Sequence, residues 1–271
     1  VSSGIHVFET MGTVASLVIP GADRALFEQI ERVFADHDAR FSLYRADSEI
    51  SRIARGELVL SRSSEPLRAA YTEAIGWRTS TAGAFDPYRP DGVLDLSGVV
   101  KALAIHAARS AVVGAGLDDA LLSVGGDGVA LGRRRSRADS GRTPADSAAY
   151  APWMAGIVDP ENREHLLGAV PLHPGRAAIA TSGTAERGEH VWRRSDPSSR
   201  TEAPYRQVTV RAADIVTADV LATAILSGGA ETLSDACSQW NIDVLTVDAS
   251  NGLTATPGFR RELTVGARLS A

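Results

Sequence analysis

Asp219 and Thr223 stand four residues apart in the run Thr217-Ala-Asp-Val-Leu-Ala-Thr-Ala-Ile-Leu226. On a helix that spacing sets a carboxylate and a hydroxyl on one face near the N-terminus. Two hard oxygens so placed could serve Mg2+, which keeps room in its shell for water and phosphate oxygens. The pair also has a purely local use, Asp219 complementing the helix dipole and Thr223 bonding back to a carbonyl, and on spacing alone this use is the first expectation. Thr217 is the expected N-cap. A second chemically dense stretch, Thr181-Ser-Gly-Thr-Ala-Glu-Arg-Gly-Glu-His190, carries hydroxyls, charges and glycine in the manner of a site loop. A single histidine such as His190, taken alone, is more often structural than catalytic.

Other candidates are weaker. Tyr44 beside Arg45 offers a planar ring and a fork of donors that suit a flavin or nucleotide, and equally suit a packed ring beside a surface charge. Asp36-His37-Asp38 has metal-ligand residue types, but at the end of a helical stripe (Leu26, Ile30, Val33, Phe34) it reads as a solvated terminus. Asp86 precedes Pro87 and is therefore extended.

The elements that must position these groups follow from periodicity. Strands are expected at Ile5–Phe8 and Val14–Ile19, joined through Met11-Gly12-Thr13 with a bulge or close approach at the glycine. Ser48 reads as an N-cap, and a helix is expected from about Ser64 to Thr81, ending at Gly83. In Asp95–Gly132 apolar residues recur at helical spacing from Leu103 to Val112 before Gly114 and Gly116. A dinucleotide fingerprint needs a strand before its glycines and a helix after them. Here the order is reversed, so Gly114–Gly116 is a helix C-cap and turn. Gly125-Gly126-Asp127 joins two strands, either as a tight hairpin or as a place where a flat ligand approaches bare backbone. Strands at Trp153–Val158, Leu166–Leu172, Ala177–Thr181 and Gln207–Arg211 follow, then a separate helix at Glu231–Trp240 and a strand pair about the turn at residues 248–252. Residues after Phe259 read as peripheral.

With 271 residues, 44% of them hydrophobic, the chain can bury a substantial core. A formal charge of -5 and a pI near 5.7 argue against nucleic acid as a partner. No apolar run is long enough for membrane insertion. One cysteine, Cys237, excludes an internal disulfide and a cysteine-based zinc site. A cytoplasmic location is the default expectation, the alternative being export with a leader removed. From residue 133 to residue 150 the composition turns to Arg, Ser, Asp and Ala without apolar period, as in a flexible, solvated insertion.

Seven segments in order resemble the ApbE family of FAD:protein FMN transferases: Met11-Gly-Thr13, Ser42-Leu-Tyr-Arg-Ala-Asp-Ser-Glu-Ile50, Ala84-Phe-Asp-Pro87, Asp95-Leu-Ser-Gly-Val-Val-Lys101, Gly125-Gly-Asp127, Ala180-Thr-Ser-Gly183 with His190, and Thr217–Thr223. The resemblance spans nearly the whole chain and implies one two-lobed α+β domain of the T-fold type over residues 1–271, with mixed or antiparallel sheets flanked by helices. It implies Mg2+ held by Asp219, Thr223 and the Gly98 carbonyl. It implies FAD lined by Met11, Tyr44, Ala84, Phe85, Asp86, Asp95, Lys101 and Trp192. The implied reaction moves FMN from FAD to a threonine of an acceptor protein and releases AMP, with His190 accepting the hydroxyl proton and Asp219 and Lys101 contributing charge. Alternatives are Mg2+-dependent hydrolysis of FAD to FMN and AMP, or FAD binding without turnover. The chain departs from the family pattern at Ala102, at His106 and in the longer segment after His190, which implies a reshaped flavin-facing loop.

Overall fold

Apolar alternation in the first strands and long helical stripes after them give an α+β arrangement. The computed structural model describes residues 5–135, 150–183 and 204–265. The elements in order are β1 (Ile5–Thr10), β2 (Thr13–Val18), α1 (Arg24–Phe41), α2 (Glu49–Ala54), α3 (Glu65–Ser80), α4 (Ser97–Gly114), β3 (Ala120–Val124), β4 (Asp127–Leu131), β5 (Arg134–Arg135) and β6 (Tyr150–Ala151). They continue with β7 (Trp153–Val158), β8 (Leu166–Leu172), β9 (Ala178–Gly183), β10 (Tyr205–Ala212), α5 (Ile215–Gln239), β11 (Asp243–Asp248), β12 (Leu253–Ala255), α6 (Pro257–Glu262) and β13 (Thr264–Val265).

Eight strands form one sheet in the order β1-β2-β3-β4-β9-β10-β11-β12, and β13-β8-β7 form a second. Every ladder among the described residues is antiparallel. Helices α1, α4 and α5 cover one face of the large sheet. The small sheet and α6 cover part of the other. The central strands are therefore buried on both sides, and their residues sort by parity. Val129, Ala178, Ala180, Val208 and Val210 join the core under the helices. Ala130, Ile179 and Leu245 join Trp153, Ile157, Val170, Leu172 and Phe259 in a second core.

Several sequence expectations hold. Ser48 caps α2 through Ser51 N–H. Helix α4 ends in a paired turn, Leu117 N–H to the Val112 carbonyl and Gly116 N–H to that of Val113, with Gly116 left-handed. Others change. Met11 (φ 48°) and Gly12 (φ 72°) make a two-residue hairpin turn with both residues left-handed, not a bulge. Of the two readings kept for Gly125-Gly126, the tight hairpin is found. The helix expected at Glu231–Trp240 is found: non-helical backbone at Gly229 (φ 74°, ψ -150°) divides α5 in two, and its second part carries that helix.

The described residues that follow Phe259, up to Val265, are not peripheral. Phe259 is fully buried, Glu262 binds the buried Arg211, and β13 extends the small sheet. Apolar residues spread over a short helix and a two-residue strand leave too little period to read. Strands β5 and β6 open and close the sequence-biased stretch, while residues 136–149 lie outside the described ones.

Candidate functional site

Antiparallel pairing brings three chain reversals or strand ends to one end of the large sheet. They are the Met11-Gly12 turn, the Gly125-Gly126 turn and the close of β9 at Thr181–Gly183. The two turns touch: a Cβ on Gly125 would lie 2.7 Å from Thr13 Oγ1. The residue after the second turn, Asp127, has the parity of Val129 and faces the helices. It is fully buried.

There Asp127 meets two elements. Its Oδ2 forms an ion pair with Lys101 Nζ, on the second turn of α4. Its Oδ1 accepts the Thr181 N–H at 3.0 Å, so one carboxylate ties the hairpin to both α4 and β9. Thr181 turns its hydroxyl to the opposite face, where it meets Thr209 Oγ1 at 3.0 Å. Ser182, next along β9, faces the helices, and its Oγ lies 3.0 Å from Thr223 Oγ1 on α5.

Helix α5 starts at Ile215 rather than Thr217. The cap is Asp214, whose Oδ1 accepts the Thr217 N–H at 2.9 Å and whose Oδ2 accepts the Thr217 hydroxyl at 2.8 Å. A carboxylate with two acceptors outcompetes the hydroxyl three residues on. This start makes Asp219 the fifth helical residue, past the first turn where the dipole acts. Asp219 is fully buried, with Ala218, Val220, Leu221 and Ala222 also buried around it in sequence. A carboxylate serving the dipole has no need of that burial.

A buried carboxylate one turn from a hydroxyl pair is a hard-oxygen donor set that fits a small divalent cation. Among the described residues no group of three His, Cys, Asp or Glu side chains could hold a metal. A cation at Asp219 would therefore complete its shell with hydroxyl, backbone carbonyl and ligand oxygens.

The segment from Ala84 to Asp95 is tied to both helices. The Ser227 hydroxyl of α5 donates to the Ala84 carbonyl. Phe85 is buried with its ring against Gly98 of α4, where a Cβ would come within 2.9 Å of the ring. Only glycine allows that approach. Asp86 pairs with Arg78 at 3.0 Å and accepts the Tyr88 N–H at 3.0 Å. Burial, followed by the hydrogen bond and charge of Tyr71, pushes the Tyr88 phenol up to about 12, so it stays neutral near pH 7. Asp95 accepts the Ser97 N–H at 2.9 Å at the start of α4.

Of the residues singled out in the sequence, Gly98, Lys101, Ala84, Phe85, Asp219 and Thr223 belong to the interlocked α4–α5 region. Asp86 and Asp95 stand at its approach, and Met11 on the adjoining turn. Tyr44 is 84% exposed on the loop between α1 and α2. His190 and Trp192 lie outside the described residues. Ala102 is buried within α4, and His106 is exposed on it. Sequence reading places Ser182 within a site-like stretch but assigns it no partner, and passes over Asp214. Ser182 has no spacing signal because its partner lies on another element, whereas Asp214 and Thr217 show the three-residue spacing of an N-cap pair.

A sequence model described as the ApbE family matches residues 11–90 and 88–246. An FAD:protein FMN transferase of Rhodobacter capsulatus is 32% identical over 179 residues, 63% of this chain and 31% of that protein. The match thus spans about a third of that relative's length. Among solved structures, the flavin transferase ApbE from Vibrio cholerae superposes with a TM-score of 0.72 at 23% identity, covering 96% of this chain and 98% of that one. The ApbE protein from Thermotoga maritima gives 0.75 at 20% identity, covering 95% and 98%. These likenesses establish the fold as a single α+β domain with helices flanking antiparallel sheets.

Proposed function

Because the chain belongs to the ApbE family, we propose that it is an FAD:protein FMN transferase that moves FMN from FAD to a threonine of an acceptor protein and releases AMP. The observation that carries this reading is the fully buried Asp219 one helical turn before Thr223, whose hydroxyl faces Ser182 at the close of β9. The name of the Rhodobacter capsulatus relative supports it.

Asp219, Thr223 and the Gly98 carbonyl would hold Mg2+. When bound, the ion would neutralise charge developing on the two phosphates of FAD. Lys101, its ammonium held at Asp127, adds a fixed positive charge on the α4 side. Met11, Tyr44, the segment from Ala84 to Asp86, Asp95 and Trp192 would surround the flavin and its adenosine end. In the reaction the threonine oxygen bonds to the phosphorus on the riboflavin side, and the P–O bond to AMP breaks. The hydroxyl proton passes to His190, and AMP leaves with the bonding pair.

The purified chain is incubated with FAD and Mg2+, with and without a threonine-containing acceptor. AMP released only with acceptor, together with an FMN mass shift on the acceptor, is the expected result. Release without acceptor indicates hydrolysis. FAD binding with no release in either case indicates a flavin-binding protein.

A further inference from the structure

Asp127 is fully buried, carries no role in the reaction above, and yet joins three elements. One oxygen pairs with Lys101 and the other takes the backbone N–H of Thr181. A carboxylate withdrawn from water in this way is retained at a cost unless its geometry is used. The next residue of β9, Ser182, hydrogen-bonds to Thr223. Lys101 on α4 and the Ser182–Thr223 pair are therefore placed relative to each other through Asp127.

We propose that Asp127 is the positioning residue of the flavin site. It aims the Lys101 ammonium, and it fixes the end of β9 against α5. An ammonium has three N–H donors, so pairing with Asp127 leaves others for an anionic ligand such as the pyrophosphate of FAD. Without Asp127 the Lys101 side chain, only 10% exposed, would lose the partner that holds its ammonium in place for the ligand. The tight hairpin supplies the rigidity. A Cβ at Gly125 would strike Thr13, so the turn that delivers Asp127 is seated on its neighbour. This inference rests on the flavin reading of the site.

The test is a double-mutant cycle on FAD affinity, read by quenching of flavin fluorescence, with thermal unfolding to show that each variant is folded. Asp127→Asn keeps an oxygen for the Thr181 N–H and removes the charge. Asp127→Asn and Lys101→Met should each weaken FAD binding about ten- to a hundredfold, the range for a hydrogen bond to a charged group. The double variant should bind no more weakly than Lys101→Met alone, because Asp127 acts through Lys101. A purely structural Asp127 would instead make the two losses multiply, and that result overturns the proposal. So does FAD binding in Asp127→Asn as tight as in the unaltered chain, or tighter. Should Asp127→Asn not fold, Asp127→Ser, smaller and still able to accept from Thr181, takes its place in the cycle. An unaltered chain that binds no FAD overturns the flavin reading itself, an outcome distinct from the others.

Discussion

Two buried carboxylates on strands of one sheet take opposite assignments. Asp127 opens β4 at the end where the turns gather and faces the helices, and it pairs with one lysine. Asp243 opens β11 at the other end and faces the small sheet. It accepts from Arg211 at 3.0 Å and Arg176 at 2.7 Å. Arg211 is fully buried and also reaches Glu262 at 2.7 Å and the Pro171 carbonyl at 2.9 Å, with its guanidinium 5.3 Å from the centre of the Phe259 ring. Through its two terminal nitrogens the planar guanidinium locks two sheets and α6 together. Asp127 has one lysine as its charged partner. One carboxylate closes a structure, and the other, in the proposal above, keeps a charge available to a ligand.

The largest effect that would sharpen this contrast is at Asp219. Asp219→Ala is expected to abolish Mg2+-dependent AMP release and to remove the rise in melting temperature on adding Mg2+. Unchanged release would sink the metal assignment. Next, Arg211→Met should lower the unfolding free energy by about 3 kcal/mol, since it strands Glu262 and weakens the hold on Asp243. Urea unfolding measures this. FAD affinity of the folded variant should be unchanged, and a parallel loss of affinity would break the division between the two ends. Third, Ser182→Ala should weaken Mg2+ binding about tenfold by removing the hydroxyl that orients Thr223, as titration calorimetry would report.

A smaller effect follows from acid. Burial pushes Asp243 up, but the hydrogen bonds and charges of Arg176 and Arg211 outweigh it and hold the carboxyl below its usual range. Burial likewise raises Glu262, and Arg211 and His173 bring it below its usual range. In both cases the unfolded chain takes up the proton first. Their contribution is therefore complete above the unfolded carboxylate values of about 4 and is lost as pH falls from there through the depressed folded values. Urea midpoints between pH 6 and pH 3, taken as roughly the span of carboxylate titration, should fall more steeply in the unaltered chain than in Arg211→Met. Equal slopes would remove this pair from the acid response.

The two ends also differ in how much of them the sequence displays. At the site end, Asp219 and Thr223 share a helix, so local spacing shows them as a pair, although it is the family resemblance and not the spacing that favours a metal over the helix dipole. The Gly125-Gly126 turn is legible because left-handed positions demand particular residues. Lys101 and Asp127 are each visible as motif residues, but their pairing joins α4 to β4 and no local pattern encodes it. The far end is nearly silent. Arg211 is one of two arginines in β10, and its partners lie on β11, α6 and the β8 backbone. Parity places it opposite Val210, but only the folded small sheet says what it meets. The α5 start was misread for a related reason: two cap-forming residues lay three apart, and the choice depended on acceptor number.

The return of β13 to β8 sets an order of events. Thr264 and Val265 pair with Ala169 and Gly168, and Phe259 fills the second core between them and β11. During synthesis the helix-covered face of β1 to β4 can assemble early, whereas the second core has no seal until residue 265 has emerged. Contacts separated by so much chain close slowly. The cover that α6 and β13 lay over the second core is thus the last of the described elements to be synthesised. Until it docks, part of the apolar side of β11 and the small sheet is open to the chaperones and proteases that survey incomplete chains.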